Sequence, residues 1–141
     1  GRAARRIGVG VCYEILYADL VREQVGRLGA NLLVTISNDS WYGRAGAQQQ
    51  HFAGAVVRSV ETGRYLLRAA ITGISGIVDE KGRIRGELPR DRAGILRGTA
   101  RWLGENTVWT RWGHWLPPLA DIGALAVLLF GFGRWLRRRT G

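Results

Sequence analysis

Three short apolar runs alternate with two stretches of a different period. The runs are IGVGV at Ile7–Val11, NLLVTIS at residues 31–37 and YLLRAAI at residues 65–71. The second is apolar on both faces, as a strand in a parallel sheet covered by helices requires. Between the first two lies YADLVREQVGRLGA, where Leu20, Val21, Val25 and Leu28 recur at helical spacing. Gly29 follows where a helix would stop. Between the second and third, AQQQHFAGAVVRSVETG reads as a helix with Phe52, Val56, Val57 and Val60 on one side. GISGIVDEKGRIRGEL then reads as a hairpin with DEKG, residues 79–82, as its turn. Strand, helix, strand, helix, strand, hairpin predicts an α/β layered domain.

At 141 residues, with 46% hydrophobic and 23% charged residues, the chain can bury one core and does not read as disordered. It begins with glycine and contains no methionine, so a piece of a longer gene product is expected. The net charge is +10, but Arg134, Arg137, Arg138 and Arg139 cluster at the end and leave +6 on residues 1–133. No basic stripe interleaved with aromatics is present, so no nucleic-acid partner is expected. One cysteine and two histidines are too few for a zinc finger, and no metal or cofactor is expected.

The end of the chain has another character. Residues 116–133, LPPLADIGALAVLLFGFG, are apolar apart from Asp121. As a helix they would rise about 27 Å, close to a bilayer core of roughly 30 Å. Trp112 and Trp115 precede them and Trp135 follows, as in an aromatic belt. The expectation is a transmembrane helix over residues 112–136. A basic tail at 137–141 would lie on the cytoplasmic side and residues 1–111 outside the cytoplasm.

Cys12, the single cysteine, ends the first strand in GVGVCYEILY. Ligands of open α/β sheets bind beyond the carboxyl ends of strands, and a thiol there would sit near a helix N-terminus. That permits a nucleophile. A lone cysteine after an apolar strand is more often a buried small hydrophobe, and on these residues alone that reading is favoured. A nucleophile also needs a base. Neither His51 nor His114 is adjacent in sequence. Glu14 would share the side of Cys12 if the chain stayed extended, and it is placed to orient a substrate or bond a neighbouring amide.

The motifs together carry a resemblance. CYE at Cys12, Tyr13 and Glu14, TISNDSWYG at residues 35–43, QHFAGAVVRSVETGRYLLRAAITGIS at residues 50–75 and the terminal apolar helix follow one another in order. This order resembles the second half of the bacterial apolipoprotein N-acyltransferases, membrane-bound members of the nitrilase (carbon–nitrogen hydrolase) superfamily. The resemblance implies half of an αββα sandwich facing the periplasm from the inner membrane. It implies that a cysteine takes an acyl chain from a phospholipid as a thioester. The cysteine then passes the chain to the α-amino group of a diacylglyceryl-cysteine lipoprotein. Cys12 matches the nucleophile. Tyr13, Glu14 and Trp41 match residues that shape the active site, and Asn38 and Asp39 match structural positions of the same loop. The family's glutamate base and lysine belong to the first half of the domain. The single lysine here, Lys81, stands in the hairpin turn. The 141 residues alone are therefore expected to be inactive and poorly stable, with unpaired sheet edges. The competing readings are a nitrilase-type amidase acting on a small amide and a non-catalytic membrane-anchored domain.

Overall fold

A computed structural model of the chain describes residues 4–42 and 46–139, without the side chains of residues 116, 133 and 135–139. The elements follow the predicted order. They are β1 (Ile7–Val11), a 3₁₀ turn (Cys12–Leu16), α1 (Ala18–Gly26), β2 (Leu32–Asn38), a 3₁₀ turn (Ser40–Tyr42) and α2 (Ala47–Thr62). They continue with β3 (Leu66–Ile71), β4 (Ser75–Val78), β5 (Ile84–Leu88), α3 (Val108–Trp112) and α4 (Leu116–Arg139). Two units separate, Gly1–Arg111 and Trp112–Gly141.

In the first unit the strands lie in sequence order, β1-β2-β3-β4-β5. β1, β2 and β3 are parallel, and β4 and β5 turn back antiparallel. Parallel crossovers are right-handed, and here the strand order never reverses, so both crossover helices fall on one face. That face carries the core: Ile15, Val21, Val25, Ala30, Leu33, Phe52, Ala55, Leu66 and Val78 are all buried.

The helices are rotated from their predicted faces. Val21 and Val25 are buried, but Leu20 and Leu28 are exposed. On α2, Phe52 is buried and Val56 packs against the core, whereas Val57 and Val60 are half exposed. The buried stripe of α2 is Gln48, His51, Phe52, Ala55, Ser59 and Thr62. Polar groups face inward because partners wait for them there, and Gln48 and His51 both reach the loop beyond β2. A buried hydrogen-bonded group costs little, while an unpaired one costs about 1–3 kcal/mol.

Among the described residues of this unit, no helix covers the opposite face. The register aligns Val9, Val34 and Leu67 in one row and Val11, Ile36 and Ala69 in the next. Ile7, Val9, Val11 and Ile36 remain 46–52% exposed. The stretch after β5 covers part of this face. A Cβ on Gly98 would lie 2.6 Å from Ile77, the Arg5 guanidinium stands over the Trp102 ring, and the Leu103 N–H donates to the Asn31 carbonyl at 3.1 Å. Arg64, buried and pushed below the usual arginine range by desolvation, ties this stretch down. It donates to the carbonyls of Ala30, Thr62, Gly63 and Glu105. The stretch therefore crosses the amino ends of the parallel strands and leaves their carboxyl ends open. β1 pairs only with β2 among the described residues.

In the second unit α4 is a continuous helix of 24 residues. Ile122, Leu125, Val127, Leu128, Phe130 and Phe132 are exposed along it, and the Arg134 guanidinium lies 5.7 Å from the Phe130 ring centre. Among the described residues, no helix is long and apolar enough to cross a membrane. Of the predicted span of residues 112–136, residues 116–136 fall on α4 and Trp112 ends α3, and the side chains of residues 116, 133, 135 and 136 lie outside those described. So do the side chains of Arg137, Arg138 and Arg139.

Candidate active site

Cys12 is the first residue past β1 and has φ +53°. A left-handed conformation costs an L-residue about 1–2 kcal/mol, so the surroundings must hold it. The turn it opens is anchored by Ile15, which is fully buried. Gly10 makes room, since a Cβ there would come within 3.3 Å of the Ile15 amide nitrogen. The Cys12 side chain is half buried, so it is not sealed in the core.

The chain is not extended beyond Cys12, so Glu14 does not lie beside the thiol. The 3₁₀ turn folds Glu14 back, and its Oε2 accepts the Val11 N–H at 2.8 Å. This is the neighbouring-amide bond that the sequence allowed. The helix expected in YADLVREQVGRLGA, α1, starts six residues after the thiol, at Ala18.

Behind the turn is a buried polar cluster centred on Asp39, which has no exposed surface. Arg68 Nη2 donates to Asp39 Oδ2 at 2.7 Å. The Ser37 hydroxyl donates to Asp39 Oδ1 at 2.5 Å, and His51 Nδ1 lies 3.1 Å from the same oxygen. Gln48 Nε2 donates to the Asp39 carbonyl at 3.1 Å. His51 Nε2 faces only an acceptor, so it carries hydrogen and donates to the Cys12 carbonyl at 3.1 Å. Ser37 Oγ lies 3.6 Å from Cys12 Sγ. Gly73 is required beside the carboxylate, since a Cβ there would stand 2.1 Å from Asp39 Oδ2.

Aromatic rings close one side. Tyr13 stacks on His51 at 5.6 Å, and Tyr42 meets the same ring edge-on at 5.7 Å. Burial, then the neighbouring Tyr13, pushes the Tyr42 phenol above its usual range. Trp41 is 75% exposed, and its indole N–H donates to the Asn38 carbonyl at 2.7 Å. Asn38 Oδ1 accepts the Ser40 N–H at 3.1 Å, which is a turn-forming role.

Cys12 opens onto a groove of about 1090 Å³ over the carboxyl ends of β1, β2 and β3. Val11, Ile36, Ala69, Ile71 and Leu88 give it an apolar floor, and Trp41 and Arg92 stand among its walls. Among the described residues, no group of three histidine, cysteine or carboxylate side chains is placed to hold a metal.

The structure thus brings Cys12, Tyr13 and Trp41 to one edge of the sheet and turns Glu14 inward. The cluster of Ser37, Asp39, His51 and Arg68 was not among the sequence-based expectations. Arg68 was the available signal: an arginine inside an apolar strand needs a buried counter-charge.

The carbon–nitrogen hydrolase family model matches residues 1–100. The chain belongs to the carbon–nitrogen hydrolase family. It is 42% identical over 130 residues to a Geobacter metallireducens protein named apolipoprotein N-acyltransferase, covering 92% of this chain and 25% of that protein. It is 38% identical over 112 residues to the Nitrosomonas europaea protein of the same name, covering 79% of this chain and 22% of that one. The chain spans about a quarter of the length of these curated relatives. Among solved structures it resembles an amidase of the nitrilase superfamily from Nesterenkonia AN1, with TM-score 0.51 and 23% identity. That match covers 62% of this chain and 35% of that one. A Helicobacter pylori G27 carbon–nitrogen hydrolase matches with TM-score 0.51 at 17% identity, over 59% of this chain and 36% of that one. The fold of this carbon–nitrogen hydrolase segment is therefore the nitrilase-like α/β arrangement with a mixed sheet.

Proposed function

We propose that this segment carries the nucleophile of an apolipoprotein N-acyltransferase. The observation that supports it most is the left-handed Cys12 turn at the carboxyl end of β1, opening on an apolar groove. A strained strand-to-helix turn displays a nucleophile at a sheet edge, and an apolar groove suits an acyl chain. In the first step Cys12 Sγ attacks the ester carbonyl of a phospholipid. The S–C bond forms, the ester C–O bond breaks, and the thiol proton ends on the lysophospholipid hydroxyl. In the second step the α-amine of a diacylglyceryl-cysteine lipoprotein attacks the thioester. The N–C bond forms, the S–C bond breaks, and one amine proton returns to Cys12. Splitting the transfer through a thioester replaces one difficult step by two easier ones.

Among the described residues, the side-chain hydrogen-bonding neighbour of Cys12 Sγ is Ser37, and no carboxylate or amine is hydrogen-bonded to the sulfur. The base and the lysine are accordingly assigned to sequence outside these 141 residues, and the segment by itself is inactive. Tyr13 shapes the wall next to the nucleophile, Glu14 holds the turn through the Val11 amide, and Trp41 faces incoming substrate. The exposed apolar side chains of α4 support an anchor in the inner membrane, with residues 1–111 on the periplasmic side and residues 137–141 cytoplasmic.

Incubating the full-length protein with phospholipid and searching Cys12 by mass spectrometry for an acyl adduct tests this reading. An acyl thioester on Cys12 and loss of transfer in Cys12→Ala are expected. A fully active Cys12→Ala overturns it. Hydrolysis of small amides without acyl transfer would assign the protein to the amidases instead.

A further inference from the structure

We propose that His51 is a positioning residue for Cys12, locked in place by Asp39 and Arg68, and that Ser37 sets the direction of the thiol. The inference rests on the reading of Cys12 as the nucleophile. His51 is not placed as a base. Nε2 is bound to the backbone carbonyl of Cys12, and Nδ1 lies between Asp39 Oδ1 at 3.1 Å and Arg68 Nη2 at 3.2 Å. What His51 holds is the peptide that follows Cys12, at a residue whose φ of +53° the chain would otherwise leave.

The support behind His51 is unusually rigid. Its side chain is 2% exposed, those of Asp39 and Arg68 are fully buried, and α2 supplies the backbone. Arg68 is fixed a second time by Nε, which donates to the Ile74 carbonyl at 3.1 Å. Ser37 has one hydroxyl hydrogen, and Asp39 at 2.5 Å takes it rather than Cys12 at 3.6 Å. The lone pairs of Ser37 Oγ are then left facing the thiol, so Cys12 S–H points at Ser37 until a base removes its proton. With Nε2 carrying the hydrogen, Nδ1 accepts from Arg68, so Asp39 reaches the side chain of the nucleophile through Ser37 and its backbone through Arg68 and His51.

The test is made in full-length protein. For wild type, His51→Leu, His51→Gln and Ser37→Ala, it measures kcat and KM of acyl transfer, the melting temperature and the rate of Cys12 alkylation by iodoacetamide. A displacement of about 1 Å at a reacting group costs roughly 100-fold, so His51→Leu is expected to lower kcat by about that factor with KM nearly unchanged. His51→Gln keeps an N–H within reach of the carbonyl and is expected to recover at least tenfold of that loss (~1.4 kcal/mol). Ser37→Ala is expected to change the alkylation rate about fivefold, through the altered thiol environment. A folded His51→Leu with wild-type kcat overturns the inference, and so does a His51→Gln no faster than His51→Leu. If the acid limb of the kcat profile also vanishes in His51→Gln, the histidine is a proton acceptor instead. Should His51→Leu fail to fold, Ser37→Ala decides, and an unchanged alkylation rate is negative. An active Cys12→Ala removes the nucleophile reading itself. An inactive Cys12→Ala beside a fully active His51→Leu removes only the positioning role.

Discussion

Asp39 and Asp79 are both fully buried, and both are met by arginines. Their surroundings differ in where the bonds lead. Among the described residues, the Asp79 carboxylate binds its own hairpin alone. Oδ1 accepts the backbone N–H groups of Lys81 and Arg83, each at 2.9 Å, and Oδ2 accepts Arg83 Nε at 3.0 Å and Arg85 Nε at 2.9 Å. Asp39 binds β3, α2 and β2, and through Ser37 and through Arg68 with His51 it reaches both ends of Cys12. A buried carboxylate with an arginine is therefore no mark of a site. The partners of its partners decide.

The exposure of those arginines makes the contrast measurable. Arg68 has no exposed side-chain surface, while the side chains of Arg83 and Arg85 are 57% and 49% exposed. Asp39→Asn strands a buried charge and is expected to cost about 3–5 kcal/mol in denaturant unfolding of the domain. A loss below about 1 kcal/mol would erase the distinction. Gly73→Ala forces a methyl against the Asp39 carboxylate and is expected to cost about 2–4 kcal/mol, with activity falling in parallel. Asp79→Asn is expected to cost only about 1–2 kcal/mol, because its arginines return to water.

The third effect also has a pH signature. Burial pushes the Asp79 carboxyl up, but the Arg83 and Lys81 amides and the two guanidiniums outweigh it and hold it below the usual carboxylate range. A lowered folded value means stability that is full above the ordinary value of about 4 and lost as pH falls through the folded value. The gap between wild type and Asp79→Asn should be constant from pH 5 to 8, where the carboxyl is ionised in both states, and shrink below about pH 4. A gap that widened in acid would reverse the assignment. The smallest effect is expected at Trp41, whose ring buries little. Trp41→Ala should shift stability by less than about 0.5 kcal/mol while raising KM for a long-chain acyl donor.

The succession of strands along the chain, both crossover helices and the hairpin were legible in the sequence because short apolar runs, helical periods and the DEKG turn each obey a local rule, whereas the order of strands within the sheet was not read from it. Cys12 at a strand end was legible for the same reason. The orientation of α2 was not. Val57 and Val60 look like core in a helical projection, yet the helix turns His51 and Gln48 inward to meet Asp39 and lets the valines face outward. That choice depends on contacts 12 residues apart for His51 and Asp39 and 17 apart for His51 and Arg68, which periodicity does not encode. The left-handed turn at Cys12 was hidden likewise, since nothing in CYE demands positive φ of a cysteine.

Because the strands never reverse their order, both helices back one side of the sheet, and the apolar floor of the groove at the strand ends comes from the other. The two sides can then evolve at different rates. Point mutations at Val11, Ile36, Ala69 or Ile71 can reshape what the groove admits without opening the core cluster behind it. The shape of the groove can thus drift while the hydrogen bonds that hold the Cys12 turn stay fixed.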